Sequence, residues 1–234
     1  MKNDTTLLLM HGAGMGSWIW DEVRPHLGMP SAAIEFPDRD KGKVDPKITL
    51  NDYAEHLRHQ VNNLDYERFI LVPHSISGLL SLMLTEHYKK RVAGIIAISA
   101  AFPQKGGSFF SALPFPQNII RSVMVKMGGT RPPEKKIREG YCNDFNGRLA
   151  EEVTRRFVEE SPRLYSDECH AKVPDGKKIY IETSADAQLP PKVQLKMAGA
   201  LNAQRIITIR SGHLPMVGHP REMADVLNQA VEKL

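Results

Sequence analysis

The segment Phe69-Ile70-Leu71-Val72-Pro73-His74-Ser75-Ile76-Ser77-Gly78-Leu79-Leu80 constrains this chain more than any other. It reads as a short apolar strand, an abrupt turn centred on Ser75, and an apolar helix. A serine at such a turn stands clear of the strand's carboxyl end, and the next backbone N–H points into the same space. Strand-like runs recur near 5–11, 31–36, 92–99, 177–183 and 205–210, so this strand at 68–74 is one of six. Helical spacing separates them, as at Ala54, Leu57, Val61 and Leu64 within 50–64. Alternation of this kind predicts a parallel sheet with helices on both faces. With 234 residues, 41% of them apolar, the chain is long enough to bury a substantial core.

An open sheet of this type places its chemistry in the loops past the carboxyl ends of its strands. Two such loops supply what Ser75 needs. The strand at 177–183 is followed by Ser184-Ala185-Asp186, and the strand at 205–210 by Ser211-Gly212-His213. His213 is the candidate base that takes the Ser75 proton. Asp186 is the candidate carboxylate that fixes the imidazole tautomer and stabilises the imidazolium. Each residue has a plainer reading. A serine after a strand is commonly a turn or cap, Asp186 is placed to cap a helix starting near Pro190, and most of the nine histidines are ordinary. Glu182 lies inside its strand, His219 precedes Pro220 and opens the last helix, and no carboxylate follows the strand at 92–99. The joint placement of Ser75, Asp186 and His213 favours the catalytic reading.

The first strand ends in His11-Gly12-Ala13-Gly14-Met15-Gly16-Ser17-Trp18. Its glycines permit a sharp turn and close backbone approach. The N–H of Ala13, paired with that of Ile76, is the candidate oxyanion hole. A dinucleotide loop is the rival, but G-x-G-x-x-G and its acidic partner about 20 residues on are both missing.

These motifs together resemble the α/β-hydrolases of the esterase and hydroxynitrile lyase group, which includes the plant methyl-ester esterases. His11-Gly12-Ala13-Gly14-Met15-Gly16-Ser17-Trp18-Ile19-Trp20 is similar to that group's H-G-A-x-x-G-x-W-x-W, and Leu214-Pro215-Met216 to its H-M-x-M-L segment. The likeness covers most of the chain, including 183–186, and is weakest between residues 102 and 173. It implies an α/β-hydrolase fold with a mostly parallel six-stranded sheet. It also implies catalytic roles for Ser75, Asp186 and His213, and oxyanion roles for Ala13 and Ile76. Pro73 and Ser77 replace the glycines of the usual G-x-S-x-G elbow. The lyase members carry threonine and lysine where this chain has Gly12 and Leu214, two positions expected to face the substrate. The esterase branch is therefore expected, acting on a small apolar or aromatic carboxylic ester. Cyanohydrin cleavage, lactone, thioester or C–C hydrolysis, and ligand reception with little turnover are the alternatives.

Between 103 and 173 the alternation breaks. Insertions this long are functional or disordered, and Phe109, Phe110, Leu113, Phe115, Ile119 and Ile120 argue against disorder. We expect a small, mainly helical cap over Ser75, with 1–102 and 174–234 forming the core. Phe109, Phe110, Leu113 and Phe115 are its candidate substrate-binding residues, with packing of the cap's own core as the competing role. The charges at 134–137 and 150–160 read as solvated helix faces.

Net charge is +4 with the signs interspersed, which gives no reason to expect nucleic acid. No run approaches the roughly 18 apolar residues of a membrane span, and no leader-like stretch precedes the first strand. Cys142 and Cys169 offer no disulfide framework and no zinc spacing. The expectations are a cytoplasmic monomer or homodimer with no cofactor or metal. Its partners are expected to be a small ester and water, with neither nucleic acid nor membrane.

Overall fold

The computed structural model describes residues 5–234; residues 1–4 of the expected core lie outside the described residues. The six strands are β1 (Thr5–Met10), β2 (Ser31–Ile34), β3 (Arg68–Pro73), β4 (Val92–Ile98), β5 (Lys178–Thr183) and β6 (Arg205–Ile209). They form one sheet in the order β2-β1-β3-β4-β5-β6. Every pairing is parallel. Strand β2 stops short of the expected end, and Glu35 and Phe36 already belong to the following loop.

Successive side chains of a strand point to opposite faces, and the core divides accordingly. Leu8, Met10, Phe69, Leu71, Ile95, Ala97 and Tyr180 pack on one side. They meet α1 (Leu50–Asn62), α2 (Ser77–His87) and α8 (Pro191–Leu201). Leu7, Leu9, Ile70, Val72, Ile96, Ile98, Ile179 and Ile181 face the other way. There they bury against α10 (Pro220–Glu232) and the turn at Ser17–Trp20. Helix α1 starts where Thr49 and Asp52 cap each other reciprocally, and it buries Leu50, Tyr53, Ala54, Leu57 and Val61 as the spacing predicts.

The stretch 103–173 is helical: α3 (Phe109–Ala112), α4 (Gln117–Gly128), α5 (Glu134–Tyr141), α6 (Gly147–Arg156) and α7 (Arg163–Ser166). A short α9 (Pro215–Gly218) precedes α10. The segment after α6 is stitched into the loop that follows β1. Val158 N–H donates to the Gly14 carbonyl at 2.9 Å, and Gly14 N–H donates to Glu160 Oε1 at 2.9 Å. Glu160 is buried yet fully engaged, accepting from both Arg39 Nη2 and the Tyr53 hydroxyl. From the other side, Glu35 Oε2 accepts from the Ser17 N–H at 2.9 Å and the Ser17 hydroxyl at 2.7 Å.

Two stability predictions follow from this packing. A methyl at Gly78, in the first turn of α2, would press into the Ala101 backbone carbonyl, whereas one at Gly199 in α8 would meet nothing within 4 Å. Gly78→Ala should cost about 1–3 kcal/mol in urea unfolding. Gly199→Ala should instead stabilise by up to about 1 kcal/mol. The second prediction concerns acid. Burial pushes the Glu35 carboxyl up, but the His11 imidazole and the Ser17 donors outweigh it and hold the pKa at about 2. A carboxylate depressed by folding stabilises above its ordinary pKa, and that contribution is lost as pH falls through the folded value. Glu35→Gln should therefore flatten the fall of melting temperature between about pH 5 and about pH 2.

Candidate active site

Ser75 sits where the backbone turns from β3 into α2, with φ at 57° in the left-handed region. A serine adopts that conformation only when its surroundings impose it. Here the Ser75 N–H donates to the Ile98 carbonyl at 3.2 Å, and its own carbonyl accepts from Ala101 N–H at 2.9 Å. The close approach of α2 to Ala101 requires Gly78. Ser77, standing in for the second elbow glycine, turns its hydroxyl to the His11 carbonyl. That departure from the usual motif ties the elbow to the loop after β1.

The Ser75 hydroxyl lies 3.0 Å from His213 Nε2, and His213 Nδ1 lies 2.7 Å from Asp186 Oδ2. A carboxylate only accepts, so the Nδ1 proton sits on His213 and Nε2 is free to accept from Ser75. Asp186 is held on every side. Thr183 Oγ1 donates to Oδ2 at 2.9 Å, while Gln188 and Leu189 N–H donate to Oδ1 at 2.7 and 2.9 Å. Burial alone would raise this carboxyl. The charge and hydrogen bond of His213, with the Leu189 and Thr183 donors, outweigh it and bring the pKa below the ordinary value.

His74, the neighbour of Ser75, has no part in the sequence-based assignment. It is buried beside His213, ring centroids 4.8 Å apart, with Nε2 2.8 Å from the His213 carbonyl. Burial, and then the charge of His213, push it down to about 3. A neutral His74 therefore donates Nε2–H to that carbonyl and fixes the backbone that carries the base. No spacing rule distinguishes such a residue from any buried histidine.

A cavity of about 760 Å³ opens onto Ser75 and His213. Ala13 and Ile76 line it, and among the described residues neither of their N–H groups donates to another protein group. Phe109, Phe110 and Tyr165 form an aromatic cluster in its wall, with Phe110 stacked on Tyr165 at 5.8 Å. Ile120, one of the apolar residues expected in the cap, also faces it, as do Tyr141, Gln188, Leu189 and Met124, which the sequence did not single out. Tyr141 lies edge-on to the His213 ring at 5.5 Å.

Four of the expected substrate contacts are not among the residues that line this cavity. Phe115 is 78% exposed and outside the cavity, in the turn that precedes α4. Leu113 turns inward into the core beside Phe109. Gly12 packs so closely against the His74 ring and the Ser75 Cβ that a side chain there would collide with both. Leu214 is fully buried on the opposite side of the sheet. His219 lies 3.1 Å from Asp144 and precedes α10, as its proline predicts, and takes no part in the serine relay.

The alpha/beta hydrolase family model matches residues 7–226. Methylesterase 7 of Arabidopsis thaliana is 23% identical, with 99% of this chain and 98% of that protein aligned. Polyneuridine aldehyde esterase of Rauvolfia serpentina is 22% identical over 97% of this chain and 95% of its own length. Salicylic acid-binding protein 2 of Nicotiana tabacum is 23% identical over 100% and 99%. Among solved structures, an extracellular alpha/beta-hydrolase from a Paenibacillus species superimposes with a TM-score of 0.85 at 18% identity, covering 97% of this chain and 98% of that one. By its parallel sheet, its serine elbow and this family match, the chain belongs to the alpha/beta hydrolase family.

Proposed function

We propose that this protein is a serine esterase that cleaves small apolar or aromatic carboxylic esters through an acyl-enzyme. The observation that carries the reading is the continuous relay from Ser75 Oγ through His213 to Asp186, beside two unused backbone donors in one cavity. As Ser75 Oγ attacks the ester carbonyl, His213 Nε2 takes its proton. Negative charge grows on the carbonyl oxygen, and the N–H groups of Ala13 and Ile76 stabilise it there. Collapse expels the alcohol, which leaves with the proton from His213. Water then enters, gives its proton to His213 and releases the acid, restoring Ser75. Asp186, already ionised by its five donors, stabilises the imidazolium at both stages.

Residues 103–173 serve as the cap over a core of 1–102 and 174–234. Phe109, Phe110 and Tyr165 give the acyl group an apolar wall, which favours aromatic and aliphatic acids over charged ones. The esterase names of the curated relatives support this reaction class.

Ser75→Ala should fold normally and lose ester hydrolysis by about 10³-fold or more, and a serine-directed phosphonate should label wild type at Ser75 alone. Hydrolysis surviving the substitution would remove the central claim. Asp186→Asn should bind substrate but turn over about 10⁴-fold more slowly, as expected when the imidazole loses its carboxylate. Phe110→Ala should change kcat/KM ratios between short and bulky esters more than it changes melting temperature. Cyanide release from mandelonitrile well above the spontaneous rate would instead place the chemistry with the lyases.

A further inference from the structure

Helix α4 is turned inside out. A surface helix ordinarily sets its apolar stripe against the core. Here Ile119, Ile120, Val123, Met124 and Met127, which share one face by their i, i+3 and i+4 spacing, all stand exposed, Met127 to 85%. Asn118, Arg121, Ser122 and Val125 take the side toward the protein, and the helix has no buried residue at all. Phe115, 78% exposed, extends the apolar face at the helix's amino end. Contiguous apolar surface of this kind marks an interaction site.

The charge along α4 itself is of one sign. Between Glu86 and Glu134 the chain contains no acidic residue, while Lys105 and Lys126 fall within or beside this part of the insertion. Arg121 and Arg131 add positive charge there, although their guanidiniums donate inward to the carbonyls of Gln188, Thr154 and Phe157. The nearest acids are already engaged or set apart. Glu139 is paired with Lys135 and Lys136, and the Glu159 carboxylate lies against Gly129 beyond the helix's end. A second copy docking face to face would bring like charges together. An anionic surface would find apolar side chains to insert and cations to flank them.

The face is also continuous with the site. Ile120, Val123, Met124 and Met127 are at once exposed and part of the wall of the cavity that reaches Ser75. We propose that α4 and Phe115 dock this protein onto the surface of an anionic lipid membrane, with the mouth of the Ser75 cavity opening at the lipid–water boundary. No helix among the described residues is long and apolar enough to cross a membrane, so the contact is peripheral. This departs from the expectation of no membrane partner, which rested on the absence of a spanning segment. Delivery of a lipophilic ester from the bilayer rests on the esterase reading. The docking itself does not.

The test is vesicle flotation of wild type and of Ser75→Ala. The vesicles are either phosphatidylcholine alone or phosphatidylcholine with phosphatidylglycerol. Both proteins should float with the anionic vesicles at least about tenfold more than with the neutral ones, and the difference should fall as salt rises. Phe115→Asp combined with Ile119→Asp, two positions outside the cavity, should cut flotation about tenfold while hydrolysis of a soluble acetate ester by the otherwise wild-type protein is retained. Failure of either protein to float would overturn the docking and leave the esterase reading standing. So would flotation indifferent to these substitutions, or a concentration-dependent dimer that they abolish. Flotation by both proteins without ester hydrolysis by wild type would sink the esterase reading alone.

Discussion

The site depends on holding one serine backbone in a conformation that serine avoids. Ser75 at φ 57° is sustained by ladder-like hydrogen bonds to Ile98 and Ala101 on the neighbouring strand's exit, and by the room that Gly78 leaves for the Ala101 carbonyl. Ser99, at the end of β4, turns with φ at 36°, so two adjacent strands leave the sheet through left-handed residues. The reward is geometric. The serine hydroxyl clears the sheet edge while the Ile76 N–H remains free on the same side. A sheet whose strands all run one way brings the loops after β1, β3, β5 and β6 to that edge, and with them Ala13, Asp186 and His213.

Electrostatics inside the site follow from burial and from which donors are spent. Asp186 stays ionised because five donors converge on it, so the His213 imidazole faces a fixed negative charge. His74 contributes the opposite device, a neutral imidazole against the base. A second cation at that distance would oppose protonation of His213, whereas a neutral donor to its carbonyl only orients it. Glu160, Arg39 and Tyr53 form a buried polar group that pins Gly14. It joins the insertion to the loop bearing Ala13, so that loop and the segment after α6 are positioned by one set of contacts.

At identities near 22–24%, the curated relatives align with this chain over nearly its whole length. The aromatic trio of Phe109, Phe110 and Tyr165 encloses the inner cavity, whereas α4 leaves the outer rim apolar and open.

Local chemistry was enough to reveal the frame. Strand runs, the α1 stripe, the serine turn, and the order of serine, aspartate and histidine are written in adjacent residues, because period and turn chemistry are properties of a few neighbours. That is why Ser75, Asp186 and His213 were legible from the chain, and why the Asp186 and His213 loops were placed past the ends of β5 and β6. Tertiary structure alone decided what each apolar or polar side chain faces. Phe109 and Phe115 are alike in sequence, yet one lines the cavity and the other, in the turn before α4, meets solvent. Which way a loop or helix-end side chain faces is set by the elements packed around it, not by its neighbours in sequence. His74, Glu35 and Glu160 acquired their roles from partners up to 146 residues away, across contacts that no local pattern encodes.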